Sequence, residues 1–444
     1  MTVTAISGWG RYPIIDTELI SPRTADALAR ATALGDQAIA RGNGRAYGDA
    51  AIGVRQTIAT TQLDRMRAFD AATGQVTLEA GVLLSDLIAT FLPRGFFPFV
   101  VPGTSLVTVG GAIAADVHGK NHHCEGGFGR YVDSLLLALP GGDVVRASHD
   151  EHPDLFRATI GGMGLTGTIL EATIRLRGIE TGWIRQRTIV AENLGAAIAA
   201  LDGSDSVTYS VAWIDCLAKG ASLGRSLIFL GEHAASDQLD DKQRGNRFPL
   251  RKPALSVPFD APSFVLNHWT VAAFNELYFR AGARNAASPI LVPAHPYFFP
   301  LDALGNWNRI YGRRGFVQHQ CVLPARTAQG ALAEMLDRIA RRGGSSFLAV
   351  LKKLGEGSGA LSFPMPGYTL ALDFPIGRDL FSFLDGLDDL VVAAGGRLYL
   401  AKDARQSRAT FEAGYGDLSA FRDLRHTIDP TGKIKSRLAA RLGI

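Results

Sequence analysis

Residues 118–124 bring together several side chains that can hold or transfer a proton. The run reads His-Gly-Lys-Asn-His-His-Cys, and a further lysine, Lys402, follows the apolar residues Leu398 and Leu400. His118 has a pKa range suited to accepting a proton, with a hydrogen-bonded loop histidine as the alternative. The ammonium of Lys402 can stabilise negative charge that develops in a pocket, unless it ends in solvent. These residue types therefore suggest proton transfer coupled to charge stabilisation.

Metal binding by the same run is not favoured. His118 and His122 are spaced as two zinc ligands on a helix would be, with His123 and Cys124 following. Gly119 and Asn121 make a helix a poor choice here, and the sequence offers no evident second pair of ligands. We therefore expect no metal.

Three glycine-rich loops precede or follow this run, and each could surround a phosphate group. Glycines let successive backbone N–H groups point at one spot, which makes a nest for phosphate oxygens. The loops are Arg41-Gly42-Asn43-Gly44-Arg45-Ala46-Tyr47-Gly48-Asp49, then Pro102-Gly103-Thr104 with Val109-Gly110-Gly111-Ala112-Ile113-Ala114, and finally Gly161-Gly162-Met163-Gly164-Leu165-Thr166-Gly167. Any one loop could be an ordinary tight turn, but the set predicts a phosphate-bearing ligand.

The third loop matches the Gly-x-Gly-x-x-Gly fingerprint of dinucleotide sites in spacing only. That fingerprint needs a strand before the loop and a helix after it. Here a predicted helix over 154–159 comes before the loop, and a predicted strand over 168–176 follows it. The reversed order argues against a Rossmann site.

The surrounding pattern predicts an α+β protein. In the first 180 residues the predicted elements are a helix from the Ser21-Pro22 N-cap to Leu34, strands at 38–40 and 76–80, a helix capped by Ser85, and a hairpin joining 135–139 to 144–147. Beyond residue 180 the elements are longer, with an amphipathic helix over 327–341 that ends at Gly343-Gly344 and an alternating strand over 368–374. Residues 242–252 hold five basic and no acidic residues and are predicted to form a mobile loop.

Composition narrows the class of protein further. The 444 residues exceed what one simple core needs, which favours two domains. Three scattered cysteines, Cys124, Cys216 and Cys321, suit a reducing compartment rather than a disulfide framework. The net charge of +4 suits anionic ligands, and without a basic stripe or recognition motif we expect no nucleic acid. No run is apolar enough to cross a membrane and no secretory signal is recognised, so we expect a cytoplasmic location.

Several segments together resemble the vanillyl-alcohol-oxidase family of FAD enzymes, which share the p-cresol-methylhydroxylase-type FAD-binding domain. The most specific are His118-Gly119-Lys120-Asn121-His122-His123 and Ala401-Lys402-Asp403, and others are Gly8-Trp9-Gly10-Arg11, Gly44 to Asp49, Val107 to Asn121, Ala212-Trp213, Trp307-Asn308-Arg309, Ser346-Phe347-Leu348, Asp373-Phe374-Pro375-Ile376 and Leu398-Tyr399. The resemblance implies three parts: an FAD-binding domain of two small α/β subdomains over residues 1–180, an α+β substrate domain with a large antiparallel sheet over 181–395, and a segment over 396–444 that returns to the FAD-binding domain.

The resemblance also implies which residues hold FAD. They are Arg41, Gly42, Asn43, Gly44, Arg45, Ala46, Tyr47, Gly48, Pro102, Gly103, Thr104, Val107, Gly110, Gly111, Ala114, His118, Gly119, Asn121, Gly164, Gly167, Ile169, Tyr399 and Lys402. Family members with covalent flavin usually attach it to a histidine of the first loop, where this chain has Arg45-Ala46. No cysteine lies between Gly103 and Gly111 either. We therefore expect non-covalent FAD.

The reaction implied by the resemblance is oxidation of a secondary alcohol on a sugar ring to a ketone. More specifically, it implies the 2′-hydroxyl of a polyprenyl-phosphoryl pentose, in half of an epimerisation of a cell-wall glycan precursor that a separate NAD(P)H-dependent short-chain reductase completes. The catalytic candidates are Lys402 for flavin or alkoxide charge, His118 for the proton, and Tyr47 for orientation, with a core tyrosine as the alternative.

The substrate-binding candidates follow from the same resemblance. They are Lys120 and Lys352 for the phosphate, Trp213, Gln318 and Gln320 for the sugar or flavin ring, and Thr369 and Ala371 in the pocket lining. Lys352 and Lys353 alternate on a strand, so only one can face a pocket. Sugar-oxidising relatives have asparagine and cysteine where this chain has Thr369 and Ala371, and Tyr-His-Pro where it has Phe298-Phe299-Pro300, which leaves the exact substrate open.

Two other functions and one location stay open. An aldonolactone or alditol oxidase would use the same flavin chemistry on soluble sugars. A flavoprotein without turnover could serve as an assembly partner, although Lys402 and His118 are both present. The basic loop at 242–252 is a candidate for peripheral contact with the inner membrane, and a merely solvated loop is the alternative.

Overall fold

The computed structural model describes residues 2–250, 255–262, 265–343, 348–416 and 418–444. Within these ranges the strands form sheets of four, six, eight and two strands. Part of the predicted 242–252 loop, the second glycine of the 343–344 pair and part of the 346–348 motif lie outside the described residues. No helix of the described ranges is both long and apolar enough to cross a bilayer.

The four-stranded sheet carries the first glycine loop. Its elements are β1 (Thr2–Ser7), β2 (Ile14–Ile20), helix α1 (Ala25–Leu34), β3 (Ala38–Arg41) and β4 (Gln56–Ala59). The strand order is β1-β2-β4-β3, with β2 and β3 both parallel to β4. The predicted Ser21-Pro22 N-cap is wrong: Thr24 caps α1, because its side chain accepts the Ala27 N–H at 3.2 Å.

The six-stranded sheet carries the other two loops. Its elements are β5 (Met66–Asp70), β6 (Gln75–Glu79), α2 (Leu84–Phe91), β7 (Phe96–Pro98), α3 (Val109–Ala114), α4 (His122–Glu125), β8 (Val132–Ala138), β9 (Val144–Ser148), α5 (Pro153–Thr159) and β10 (Thr168–Gly178). The predicted β8–β9 hairpin is confirmed, as is the order helix, third loop, strand that excludes a Rossmann unit. Ser85 lies inside α2 rather than at its N-cap, which is Leu83.

The eight-stranded sheet dominates the rest of the chain. The strands after residue 180 are β11 (Trp183–Ala191), β12 (Tyr209–Ile214), β13 (Ser226–His233), β14 (Leu255–Ser256), β15 (Ile290–Pro293), β16 (Leu304–Gly305), β17 (Phe316–Pro324), β18 (Ala349–Leu354), β19 (Gly367–Pro375) and β20 (Arg397–Leu398). The order β15-β11-β13-β12-β18-β19-β17-β20 is antiparallel at every pair.

All the helices after residue 180 in the described ranges are α6 (Leu194–Asp202), α7 (Asp241–Arg244), α8 (His268–Arg284), α9 (Ala294–Phe298), α10 (Ala325–Arg342), α11 (Leu380–Ala393), α12 (Arg408–Tyr415), α13 (Ser419–Ile428) and α14 (Arg437–Leu442). Helices α6, α10 and α11 pack on one face of the eight-stranded sheet. Leu332, Met335 and Ile339 of α10 pack in one core with Leu370 and Leu372 of β19. The predicted amphipathic helix and the alternating strand are therefore confirmed, and Gly343 caps α10 at φ +73°.

The face of the eight-stranded sheet that is opposite to the helices borders a cavity. Because successive residues on a strand point to opposite faces, Leu370 and Leu372 face the helices while Thr369 and Ala371 face away from them.

The predicted mobile loop at 242–252 begins instead with the last residues of α7, because Asp240 accepts the Gln243 N–H at 2.8 Å and caps that helix.

The C-terminal segment crosses from the large sheet to the first glycine loop. Strand β20 pairs with β17, and the following turn places the Ala401 carbonyl 2.9 Å from the Tyr47 N–H. Farther on, Ile434 bridges to Ala38 beside β3. These contacts carry Lys402 to the glycine loops, while the predicted domain boundaries near residues 180 and 395 stay predictions.

Candidate active site

One cavity of about 580 Å³ lies between the glycine loops and the exposed face of the eight-stranded sheet. This volume falls in the range of about 300–1,000 Å³ that small-molecule sites occupy. From the loops, the lining includes Gly42, Asn43, Gly44, Arg45, Ala46, Tyr47, Pro102, Gly103, Thr104, Val107, Gly110, Gly111, Ala114, Gly164, Gly167 and Ile169. The structure therefore brings the three predicted loops to a single site.

Glycine is needed at close contacts made by the first two loops. A Cβ at Gly42 would lie 2.2 Å from Thr108 Oγ1, and one at Gly110 would lie 2.9 Å from the Ala80 Cβ. Asn43 Nδ2 donates to the Leu106 carbonyl at 2.8 Å, which ties the loops together. Thr108 in turn caps α3 through the Gly111 N–H. The backbone can approach this closely only because side chains are absent.

The same lining fits the FAD that the resemblance implies. Gly103 borders the cavity and has no atom within 4 Å of the position of a Cβ, so its backbone faces open space. Gly164 borders the cavity as well, at φ +75°, a conformation that favours glycine. Accessible backbone of this kind suits a diphosphate.

Three of the predicted FAD-binding residues do not line this cavity. Arg41 donates to the carbonyls of Ser7 and Ala51, and Asn121 donates to the Phe99 carbonyl at 2.7 Å. A Cβ at Gly48 would lie 2.0 Å from the Asp403 carbonyl oxygen. All three residues stabilise the conformation of the loops through contacts outside the cavity. They belong to the family motif because they position the lining residues.

Lys402 lies at the junction of the first loop and the large sheet. Its ammonium stands 3.7 Å from the centre of the Tyr47 ring, a cation–π contact. Burial lowers the pKa of Lys402, while the nearby Asp373 carboxylate opposes that shift and Lys352 adds to it. Burial likewise raises the pKa of Asp373, against the effect of Gln318 and Lys402.

Asp373 is a site residue that the sequence reasoning missed. Its carboxylate is fully buried and accepts hydrogen bonds from Gln318 Nε2 at 2.6 Å and from the Tyr311 hydroxyl at 3.1 Å. Gln318 also hydrogen-bonds with Tyr47, whose own pKa burial raises well above its usual value. The sequence did contain a signal for Asp373. This acidic residue lies two positions beyond Ala371 and therefore on the same, cavity-facing side of the strand.

His118 joins the loops to two neighbouring strands. Its Nε2 lies 2.9 Å from Gln320 Nε2, and its Nδ1 lies 3.5 Å from Lys352 Nζ. Gln320 also reaches Thr369 Oγ1 at 3.2 Å. Burial, and then the positive charge of Lys352, hold the pKa of His118 well below its usual range. The ring is therefore neutral near pH 7 and able to accept a proton only against nearby positive charge.

Two further lysines reach the cavity beside His118. Lys120 lies over the Tyr297 ring at 4.0 Å and donates to the Tyr297 carbonyl, and burial lowers its pKa to about 7. Burial lowers the pKa of Lys352 to about 8. The neighbouring Lys353 points away, to Asp202 and Asp205. The prediction that Lys352 alone faces the pocket agrees with this geometry.

The sheet contributes a row of side chains to the floor of the cavity. Across β12, β18, β19 and β17 the register places Trp213 beside Val350, Val350 beside Ala371, and Ala371 beside Gln320. All four line the cavity, as do Gly119 and Tyr399 from elsewhere in the chain. Cys321, next to Gln320, faces the helical core, and none of the three cysteines is in the lining.

Aromatic side chains from α8 close the cavity and were also missed. Phe274 and Tyr278 are in the lining, and the Tyr278 ring centre lies 4.9 Å from that of Trp213. Thr104 and Ser105 donate to Asp302, which clamps the second loop to the segment after α9. No local pattern reveals Tyr278 and Asp302, because their partners Trp213 and Thr104 lie more than 60 positions away in the chain.

Comparison with known proteins adds an independent line of evidence. A family model described as an FAD binding domain matches residues 20–148. Over 99% of its length the chain is 39% identical to decaprenylphosphoryl-β-D-ribose oxidase of Mycolicibacterium smegmatis, covering 98% of that protein. It is 35% identical, over 82% of its length, to the whole of an uncharacterized protein in the mprA 5′ region of Streptomyces coelicolor.

A second kind of relative matches only in part. The chain is 26% identical to D-arabinono-1,4-lactone oxidase of Yarrowia lipolytica over 38% of its own length and 32% of that protein. The predicted FAD-binding domain, the FAD cofactor and the resemblance stated from the sequence are thereby confirmed.

Proposed function

Because this chain belongs to the FAD-dependent oxidoreductase family that includes decaprenylphosphoryl-β-D-ribose oxidase, we propose that it oxidises the 2′-hydroxyl of a polyprenyl-phosphoryl pentose to a ketone. One observation carries the choice of substrate. Lys120 and Lys352 line the cavity and are half-buried, and among the described residues no carboxylate forms an ion pair with either. Partly desolvated cations without a counter-ion are costly, so an anionic group of the ligand is expected beside them.

The reaction removes a hydride from the alcohol carbon and a proton from its hydroxyl. Bound FAD supplies the two-electron acceptor for the hydride. Lys402 would stabilise negative charge on bound FAD or on the substrate alkoxide, and Tyr47 with Gln318 holds that ammonium in position. His118 is the proton acceptor.

The substrate phosphate strengthens His118 as a base. Lys352 is the nearest cation that lowers the pKa of His118, and a phosphate bound to Lys352 would offset its charge. The pKa of His118 then rises when the correct anion is present. Phosphate recognition and proton transfer are thereby coupled through one 3.5 Å contact.

Two partners belong to the same proposal. An epimerisation needs the ketone to be reduced again, which we assign to a separate NAD(P)H-dependent reductase. The basic residues at 242–252 would contact the inner membrane, where a polyprenyl-phosphate substrate resides. Liposome sedimentation that is unaffected by neutralising these residues would remove the loop from the proposal.

Anaerobic bleaching of the flavin tests the function directly. The purified yellow protein is mixed without oxygen with a short-chain prenyl-phosphoryl ribose, its dephosphorylated counterpart, or a soluble aldonolactone. We expect the phosphorylated sugar to bleach the flavin fastest. Bleaching by lactones alone would establish the soluble-sugar oxidase instead, and a flavin that no alcohol reduces would favour the assembly partner without turnover.

A further inference from the structure

A buried histidine interrupts the apolar side of β17. Val317 and Cys321 pack in the helix-facing core, and His319 between them lies on the same side of the strand. Only 5% of His319 is exposed. Its neighbours Gln318 and Gln320 line the large cavity on the other side of the sheet. A polar side chain in this position needs hydrogen-bond partners, because burying it without them is costly.

The partner of His319 is a carboxylate of α11. His319 Nε2 donates to Asp388 Oδ1 at 3.0 Å, and Asp388 is only 2% exposed. The other oxygen of Asp388 accepts from the Arg405 guanidinium at 3.0 Å. We call His319, Asp388 and Arg405 the His319 cluster. Its single carboxylate joins strand β17, helix α11 and the turn that follows β20.

That turn carries Lys402. The Lys402 N–H donates to the Tyr399 carbonyl at 2.9 Å, and the Arg405 N–H donates to Asp403 Oδ1 at 2.8 Å. At the start of the turn, the Tyr399 N–H donates to the Gln320 carbonyl at 2.9 Å. The turn is therefore bonded to β17 at its start and to the carboxylate of α11 near its end, with Lys402 between these two attachments.

A small cavity lies beside the His319 cluster. Its volume is about 20 Å³, and its lining includes His319, Asp403 and Arg405. A cavity of about 10–15 Å³ is enough to hold one water molecule when polar groups surround it. Among the described residues, His319 Nδ1 is buried and has no protein partner. A water molecule in the cavity would bond this nitrogen and a polar group of the turn.

We propose that the His319 cluster, with one water molecule in the small cavity, holds the Lys402 ammonium against the Tyr47 ring. This inference rests on the role of Lys402 in the function proposed above. The three members are positioning residues, since none of them is in the lining of the large cavity. Apolar side chains would stabilise this core as well as a buried ion pair does. The polar cluster instead favours one arrangement of strand, helix and turn, the one in which its hydrogen bonds are satisfied.

Crystal structures of the FAD-loaded wild type and of His319→Leu test the geometry without a substrate. Leucine is close to imidazole in size but bonds neither Asp388 nor water. We expect density for one water molecule within hydrogen-bond distance of His319 Nδ1 in the wild type. In the variant, Lys402 Nζ should leave its position 3.7 Å from the centre of the Tyr47 ring. A Lys402 ammonium that stays in place, or a wild-type cavity without water, would overturn the proposal.

Anaerobic flavin reduction by a prenyl-phosphoryl sugar tests the consequence for the reaction. His319→Leu should react about tenfold or more slowly, because a misplacement of about 1 Å can cost about 100-fold. In the Lys402→Ala background the same substitution should change the rate by less than about twofold, since a residue that acts through Lys402 then has nothing to position. His319→Gln, whose amide can still donate to Asp388, should recover most of the rate.

Leu323→Val is the matched control, because Leu323 is a fully buried apolar residue on the same side of β17. It should reduce the flavin at the wild-type rate. An equal loss in Leu323→Val, or a loss from His319→Leu that is the same with and without Lys402, would show a general structural role and contradict positioning. If no alcohol reduces the wild-type flavin, the proposed function fails, while the two crystal structures still decide whether the His319 cluster positions Lys402.

Discussion

Two groups of partly buried charges in this molecule are built in opposite ways. Near the C-terminal helices, Arg441 donates to Asp49 at 2.9 Å and to Asp403 at 3.0 Å, and every member has a partner. In the cavity, Lys120 and Lys352 have lowered pKa values and no described carboxylate pairs with them. The first group fixes the C-terminal segment to the first glycine loop. The second leaves positive charge uncompensated, as a site for an anionic ligand requires.

The largest expected effect is at Lys402. Lys402→Ala should keep FAD, because the glycine loops are untouched, but slow anaerobic flavin reduction by about 10²–10³-fold through loss of charge stabilisation. Rapid-mixing absorbance measures this rate. Lys353→Ala, which removes a lysine paired with Asp202 and Asp205, is the control and should reduce at the wild-type rate. Reduction of Lys402→Ala at that same rate would show that our role for Lys402 is wrong.

Arg441→Ala should affect stability instead. It leaves the Asp49 and Asp403 carboxylates, whose side chains are 6% and 5% exposed, without their cation. Removing one partner of such a group costs about 3 kcal/mol of unfolding free energy. Urea denaturation provides the measurement, and Arg441→Lys should recover part of the loss. Unchanged stability in Arg441→Ala would mean that the group is not structural.

Lys352→Met should give the reverse pattern. Removing a half-buried cation that has no counter-ion should leave the unfolding free energy unchanged or slightly higher. The KM for a prenyl-phosphoryl sugar should rise by roughly 10–100-fold, since a charged hydrogen bond contributes about 1.5–3 kcal/mol. Steady-state kinetics with phosphorylated and dephosphorylated substrates separates the effects. Equal loss on both substrates would contradict a phosphate role.

Binding of the phosphate should weaken as pH rises. The pKa of Lys352 is lowered to about 8 and that of Lys120 to about 7, so the free protein loses these charges between pH 7 and 9. We expect the KM to increase by about tenfold across this range. Folding stability should change in the opposite direction. A lowered lysine pKa means that the folded state disfavours the protonated lysine, so the free energy of unfolding rises as the pH increases from the lowered pKa values toward the ordinary lysine value. A KM profile that is flat in wild type and in Lys352→Met would contradict this.

The smallest effect concerns a thiol. Ala371 faces the cavity, and Cys321 on the next strand faces the core, where burial raises the pKa of its thiol to about 12. Cysteine-directed reagents carried into the cavity should label position 371 in Ala371→Cys and leave Cys321 unlabelled, whereas the exposed Cys124 reacts alike in wild type and variant, as detected by peptide mass. Flavin reduction should change little. Labelling of wild-type protein at Cys321 would show that this side of β17 faces the cavity and not the core.

Local signals in the sequence predicted the loops and strands of the site well. Glycine clusters, the alternation along β19 and the order of α5 and β10 are all properties of neighbouring residues. A strand has only two faces, so only one of Lys352 and Lys353 could line the cavity, and the family resemblance selected Lys352 as well as Ala371. The predictions that Lys120, Lys352 and Lys402 are site residues now rest on geometry but await experiment.

What the sequence could not provide is the set of distant partners. Alternation along β19 could have placed Asp373 on the cavity side, but its partners Gln318, Tyr311 and Lys402 became visible only in the structure. Arg41 and Asn121 belong to the same motifs as lining residues, yet their side chains turn to backbone carbonyls behind the loops. The start of α1 was misplaced because Ser21 and Thr24 are both good caps, and in the structure Thr24 accepts the capping hydrogen bond.

The two-faced large sheet also constrains how a protein of this kind can diverge. Single substitutions at Trp213, Val350, Ala371 or Gln320 change what the cavity accepts while the helix-facing core stays intact. An insertion or deletion of one residue in β19 would exchange the two sets of side chains and destroy both. New substrate preferences should therefore arise in this lineage by point replacement on alternate positions, with strand lengths held constant.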